Sequence, residues 1–260
     1  MWVLGGPPLW KYREACGIFY ARSIHVNNIR MSVLLVAGIV FLFSSCASRP
    51  VPRKFQAEHA VPGLSEDEAA ITEAAENLLG RKPDSTVVIN GKTFTLDCIG
   101  TVRAVFYSQG LDLARDFPAY SGNGVKRLYE TLKAQNLLHK NTPRPGDLIF
   151  WNNTYDANDD GNLTNDPLTH AAVVLKVEDD GTIHYVHSHV RRGIITEVMN
   201  LRRPREYRDE AGKVINNALA LGSGISRADN PPHWLSGDLW NSFGRVLTKK
   251  DYFAPDSRKL

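Results

Sequence analysis

Lys92-Thr-Phe-Thr-Leu-Asp-Cys-Ile-Gly-Thr-Val102 changes its period part-way. Phe94 and Leu96 alternate with polar residues, as on a half-buried strand. From Cys98 to Gln109 the apolar positions Val102, Val105 and Phe106 fall at helical spacing instead. The stretch therefore predicts a strand that turns into a helix, with Asp97 in the N-cap place. Cys98 then stands in the first helical turn, where free N–H groups and about half a positive charge favour a thiolate. The plainer reading of the same residue is a small core side chain.

Working outward, Thr86-Val-Val-Ile89, Asn90-Gly91 and Lys92 to Leu96 predict a hairpin closed by a type I′ turn. Upstream, Ser65-Glu-Asp-Glu68 is a capping box that opens a helix from Glu66 to Leu79, closed by Gly80. Downstream, Val125, Leu128, Tyr129 and Leu132 predict a helix over 123–135. Strands follow at Asp147–Trp151, His170–Leu175, Thr182–His187 and Gly193–Val198. Helices first and a strand meander after them predict an α+β fold, with helices packed on a central antiparallel β-sheet.

Composition narrows the function class. The 260 residues are 43% hydrophobic and 23% charged, which suits a globular chain. A net charge of +3 is too small to imply nucleic acid. Three cysteines, Cys16, Cys46 and Cys98, rule out a disulfide framework, and no Cys-x-x-Cys pair suggests a zinc ribbon.

A nucleophilic thiol needs a base, and the base needs an orienting group. His170 opens one strand and His187 ends the next, so adjacent antiparallel strands would set the two imidazoles side by side. His184, three residues before His187, and His189, two after it, are rivals for its place. The same three histidines also permit a metal site. Asp97 either caps its helix or touches a substrate amine.

These segments resemble a family. Asp97-Cys-Ile-Gly-Thr-Val102 is similar to the Asp-Cys-Ser-Gly-hydrophobic-Val motif of the NlpC-type cysteine peptidases, papain-like and CHAP-related enzymes that cut bacterial cell-wall peptides. Pro145-Gly-Asp-Leu148, Thr169-His-Ala-Ala-Val173 and Val186-His-Ser188 resemble that family's later motifs, in its order. Ile99 stands where the family commonly has serine, and Ala172 where it has glycine. The resemblance covers residues 92–198. It implies a papain-like fold with Cys98 as nucleophile, His170 as base and His187 as orienting residue. It further implies a hydrolase of peptidoglycan stem peptides, first at the D-glutamyl–diaminopimelate bond, that needs no cofactor for its chemistry. An N-acetylmuramoyl amidase or a transferase, and a non-catalytic wall-binding module, are the alternatives.

Two segments lie outside that resemblance. Asp156-x-Asn158-x-Asp160-Gly161-Asn162 matches the first half of an EF-hand loop. Pro167 takes its twelfth place and Asp166 comes one early, so a structural calcium there would be irregular. Residues 201–260 carry arginines 202, 203, 205 and 208, with Trp234, Trp240 and Phe243 at near-helical spacing. They are expected to be a C-terminal extension packed on a catalytic domain spanning 65–200.

The N-terminal region reads as an address. The apolar run Val33–Phe43 has 11 residues, against about 20 for a bilayer span, and is followed by Ser44-Ser45-Cys46. This resembles a lipoprotein signal over 26–45, with Cys46 lipidated and 46–64 as tether. Residues 1–25 fit no signal and are expected to be a mis-assigned start or a discarded extension. From Cys46 onward the chain has 27 basic and 27 acidic side chains and one further thiol, Cys98. The expected partners are peptidoglycan and, through the lipid, a membrane, with no nucleic acid. The protein is expected to be a monomer, exported and anchored to the cell envelope, on the outer membrane where the cell has one.

Overall fold

In the computed structural model of the chain, residues 63–220 and 234–254 are described. The leader, Cys46 and nearly all of the tether lie outside them. Helix α1 (Glu66–Glu76) opens on the capping box, in which Ser65 Oγ accepts from the Glu68 N–H and Glu68 accepts from the Ser65 N–H. It stops short of the expected Leu79. Leu78 and Leu79 tighten into i→i−3 turns, and the Gly80 N–H turns away to the Ile194 carbonyl. Strands β1 (Thr86–Ile89) and β2 (Lys92–Thr95) form the hairpin, with Asn90 and Gly91 both at positive φ, as a type I′ turn requires.

Helix α2 (Cys98–Ser108) follows at once, and α3 (Gly124–Ala134) is capped by Asn123. Then come β3 (Leu138–His139), β4 (Leu148–Trp151), β5 (His170–Val177), β6 (Thr182–His189), β7 (Gly193–Asn200) and β8 (Trp240–Gly244). Strands β3 to β8 make one six-stranded antiparallel sheet in the order β3-β8-β4-β5-β6-β7. The class is therefore α+β.

The sheet has two apolar faces because both are covered. On one, Ala171, Val173 and Val186 pack against Val102, Val105 and Phe106 of α2 and Leu128 and Leu132 of α3. Each buried Val, Leu or Phe here contributes about 1.5–3 kcal/mol. On the other, Ile149, Trp151, Val174, Tyr185 and Phe243 pack against Leu219 and Leu239. That second layer comes from the segment beyond residue 200.

Here the structure corrects the expected plan. The segment after 200 is no mere addition to a finished sheet, since β8 lies between β3 and β4. The near-helical spacing of Trp240 and Phe243 misleads as well, because both lie on that strand, with Phe243 fully buried. A five-residue strand is too short for period two to stand out against three chance aromatics. The arginines are tied locally: Arg205 to Asp238 at 2.7 Å, Arg203 to Glu206 at 3.6 Å, and Arg202 and Arg208 to backbone carbonyls.

Candidate active site

Cys98 is placed by three local devices. Asp97 Oδ1 accepts from the Gly100 N–H at 2.6 Å and starts α2. Gly100 lies so close to the hairpin that a Cβ there would sit 1.7 Å from the Thr95 carbonyl oxygen, so no other residue fits. Ser188 of β6 donates from Oγ to the Leu96 carbonyl at 2.9 Å, clipping the β2–α2 junction to the sheet. Ile99, the departure from the family motif, packs on the first core and against the start of α3 at Gly124.

The register places the histidines. Val174 pairs with Tyr185, and Tyr185 with Glu197. Opposed residues in an antiparallel pair share a face, and so do residues two apart. His170, His187, Tyr185 and Glu197 therefore lie on one face, with Trp151, which pairs with His170. This is the face covered by the segment beyond 200, and the Trp151 indole N–H donates to the Ser236 carbonyl at 2.7 Å. Cys98 comes from the opposite layer and meets the histidines at the strand ends.

The meeting place is a cleft of about 500 Å³ lined by Asp97, Cys98, His170, His187 and His189. Tyr155 and Val190, 44% and 59% exposed, stand on its walls with Asp84 and Arg191. A cavity of about 410 Å³ beside α1, β1 and α2 holds no cysteine or histidine.

Within the cleft, His170 Nε2 and His187 Nδ1 are 2.9 Å apart, with the rings nearly perpendicular at 86°. Behind them, His187 Nε2 lies 3.0 Å from Glu197 Oε2. The other Glu197 oxygen accepts from Arg192, whose side chain is 53% exposed. Glu197 itself is only 3% exposed. Sequence reasoning misses it, because a single glutamate in an apolar strand carries no motif. The signal available is a charge at a position whose period-two neighbours face the core.

Electrostatics set the resting state. Burial pushes the Cys98 thiol from its ordinary 9.0 up to about 12, and the Asp97 carboxylate adds to the rise. The N–H groups of Ile99, Ala171 and Cys98 itself pull the other way but are outweighed. Burial, with the nearby His187 and His189, drives His170 well below the usual histidine range. Both shifts favour an uncharged thiol and an uncharged imidazole at neutral pH. Desolvation thus opposes the thiolate that the helix end favours. Burial works against an ionised Glu197, yet His187 and Arg192 prevail and its carboxyl sits below the usual range.

The rival histidines separate cleanly. His184 is engaged by Glu178 at 2.8 Å and is not among the cleft residues. His189 reaches the cleft, but its Nδ1 accepts the N–H groups of Arg191 and Arg192 in the β6–β7 turn. Among the described residues, no group of three or more His, Cys, Asp or Glu side chains is arranged to hold a metal.

In the loop 156–166, the side-chain oxygens largely face donors of the loop itself. Asp156 accepts from the Asp160 and Gly161 N–H groups. Asn158 and Asp160 accept from the N–H groups of Asp160 and Asn162, and Asn162 from Thr164. Asp166 turns to the Ala157 N–H. No protein-family model, curated protein or solved structure matches this chain.

Proposed function

We propose that this chain is a cysteine hydrolase of amide bonds on a papain-like, NlpC-type fold, acting on the stem peptides of peptidoglycan. The 2.9 Å contact between His170 Nε2 and His187 Nδ1, in the cleft that also holds Cys98, carries this reading. The four motifs resembling the family support it, as does a cysteine-bearing helix start set against a strand that begins with histidine. The bond between D-glutamate and diaminopimelate is the first substrate to test. N-acetylmuramoyl amide cleavage and amine transfer are the alternatives.

In this mechanism Cys98 Sγ attacks the amide carbonyl while His170 Nδ1 takes the thiol proton. His170 then gives that proton to the departing amine, the C–N bond breaks, and a thioester remains. Water attacks the thioester and loses a proton to His170. The C–S bond breaks, the acid product leaves, and the thiol recovers its proton. Because the resting pair is uncharged, His170 acts as a general base during attack instead of standing opposite a ready thiolate. His187 holds the ring of His170 and fixes which nitrogen is bare.

The proposal extends to export and lipid anchoring through Cys46, and to a calcium that steadies the loop 156–166. Incorporation of labelled fatty acid that is lost in Cys46→Ala tests the first. A melting temperature lowered by EDTA tests the second, and an unchanged one overturns it.

The decisive experiment gives the detergent-solubilised full chain purified peptidoglycan. It follows new amines and identifies fragments by mass spectrometry, beside Cys98→Ala. Fragments from the parent chain alone support the hydrolase and name the bond. No fragments from either protein, with both sedimenting with the wall, would replace it with a wall-binding module.

A further inference from the structure

We propose that Glu197 is a positioning residue of this site, which sets the tautomers of both imidazoles from behind. The inference rests on the hydrolase reading for its meaning but on separate geometry for its substance.

The protons can be followed outward from the carboxylate. Glu197 is an acceptor only, and His187 Nε2 lies 3.0 Å from its Oε2. Both atoms are buried and neither has a hydrogen-bond partner among the described residues, so each is the nearest group of opposite character the other has, at ion-pair distance and not in hydrogen-bond alignment. When His187 carries one proton, the carboxylate favours it on Nε2, which leaves Nδ1 as an acceptor. Across the 2.9 Å contact, His170 must then donate from Nε2. A neutral imidazole carries one proton, so His170 Nδ1 is left bare as the base the thiol needs. Reversed, with His187 protonated on Nδ1, the proton of His170 would sit on Nδ1 and the base would be lost. One carboxylate, two rings away from the sulfur, decides between the two states.

The surroundings favour this role over a plain buried ion pair. Arg192 reaches Glu197 from the solvent side and keeps it ionised. The other titratable groups packed around His187 are His170 from β5 and Tyr185 and His189 from β6. The buried Tyr185 hydroxyl borders the same carboxylate and stays protonated far above neutral pH. None of these three offers a second anion to hold the His187 proton.

The test reads tautomers directly. Nitrogen NMR of the substrate-free full chain at neutral pH should show both His170 and His187 protonated on Nε2. In Glu197→Gln the side-chain amide can accept or donate, so the His187 nitrogens should move toward mixed tautomers. The turnover number on peptidoglycan should fall tenfold or more with KM little changed, and Glu197→Asp should recover part of the loss.

An Nδ1–H tautomer of His187 in the parent protein would overturn the inference without any variant, and so guards against one that fails to fold. Unchanged nitrogen shifts in a folded Glu197→Gln would overturn it too. If the parent chain cuts no wall peptide, the substrate reading falls while the tautomer result still decides the role of Glu197.

Discussion

Two buried clusters in this sheet use the same three side-chain types to opposite ends. At one, His139 of β3, Asp147 beside β4 and Arg245 beside β8 meet. Arg245 grips Asp147 with two hydrogen bonds at 2.8 and 2.6 Å, the Arg144 N–H adds a third, and His139 Nε2 stands 3.3 Å away. At the other, His187, Glu197 and Arg192 meet on β6, β7 and the turn between them. In the first, the carboxylate is saturated and the imidazole touches no nucleophile. It is a staple across three strands. In the second, the imidazole keeps a free nitrogen for a second histidine, and that one opens on a cleft with a thiol. What separates the two clusters is thus not their side chains but whether a second histidine and a thiol stand within reach.

The sharpest way to test that contrast is to remove the thiol. Cys98→Ala should lower peptide release ten-thousand-fold or more, on the order of other nucleophile losses. Its melting temperature should stay nearly unchanged. Next, Asp147→Ala should cost about 1.5–3 kcal/mol in a urea melt, because it removes the buried carboxylate that holds Arg245. The turnover of its folded fraction should remain within about twofold of the parent. A large loss of turnover with full stability would erase the distinction between the clusters.

The resting charges give a pH prediction. Cys98, raised to about 12, should react with iodoacetamide at a rate that keeps climbing above pH 9, with no plateau at neutral pH. His170 is held uncharged below its ordinary range by burial. The unfolded chain therefore takes up a proton that the folded chain refuses, and stability should fall as pH drops below about 6.5. Cys98 works in the opposite direction: the unfolded thiol ionises first, so stability should also fall above about pH 9. A thiol reacting at a constant rate from pH 5 to 9 would show a preformed ion pair.

The smallest effect is expected at Asp97→Asn. It keeps a capping side chain, so stability should change by less than about 0.5 kcal/mol. Removing the negative charge lowers the thiol pKa, so alkylation at pH 8 should rise a few-fold.

Local features are legible in the amino-acid order alone. The capping box at Ser65, the Asn90-Gly91 turn, the start of α2 at Cys98 and the period-two strands each depend on neighbours within about four residues. Their physics is short-ranged. For the same reason the meander of β4 to β7 and the facing of His170 and His187 can be read from strand order. The outer pieces cannot. Strand β8 reaches its place between β3 and β4 from 89 residues beyond Trp151, the residue it meets at Trp240. No local period announces such a pairing.

Glu197 escapes a reading of the sequence for the related reason that its meaning comes from register across two strands. The protonation of Cys98 escapes it because a helix dipole is a local property, whereas desolvation belongs to everything packed around the sulfur. Sequence by itself determined which residues begin helices, which turn, and which carry reactive groups, since backbone sterics and capping act locally. Tertiary structure alone decided where the rival histidines, His184 and His189, turn instead, and which carboxylate stands behind the facing pair. Those depend on burial and on contacts between residues far apart in the chain.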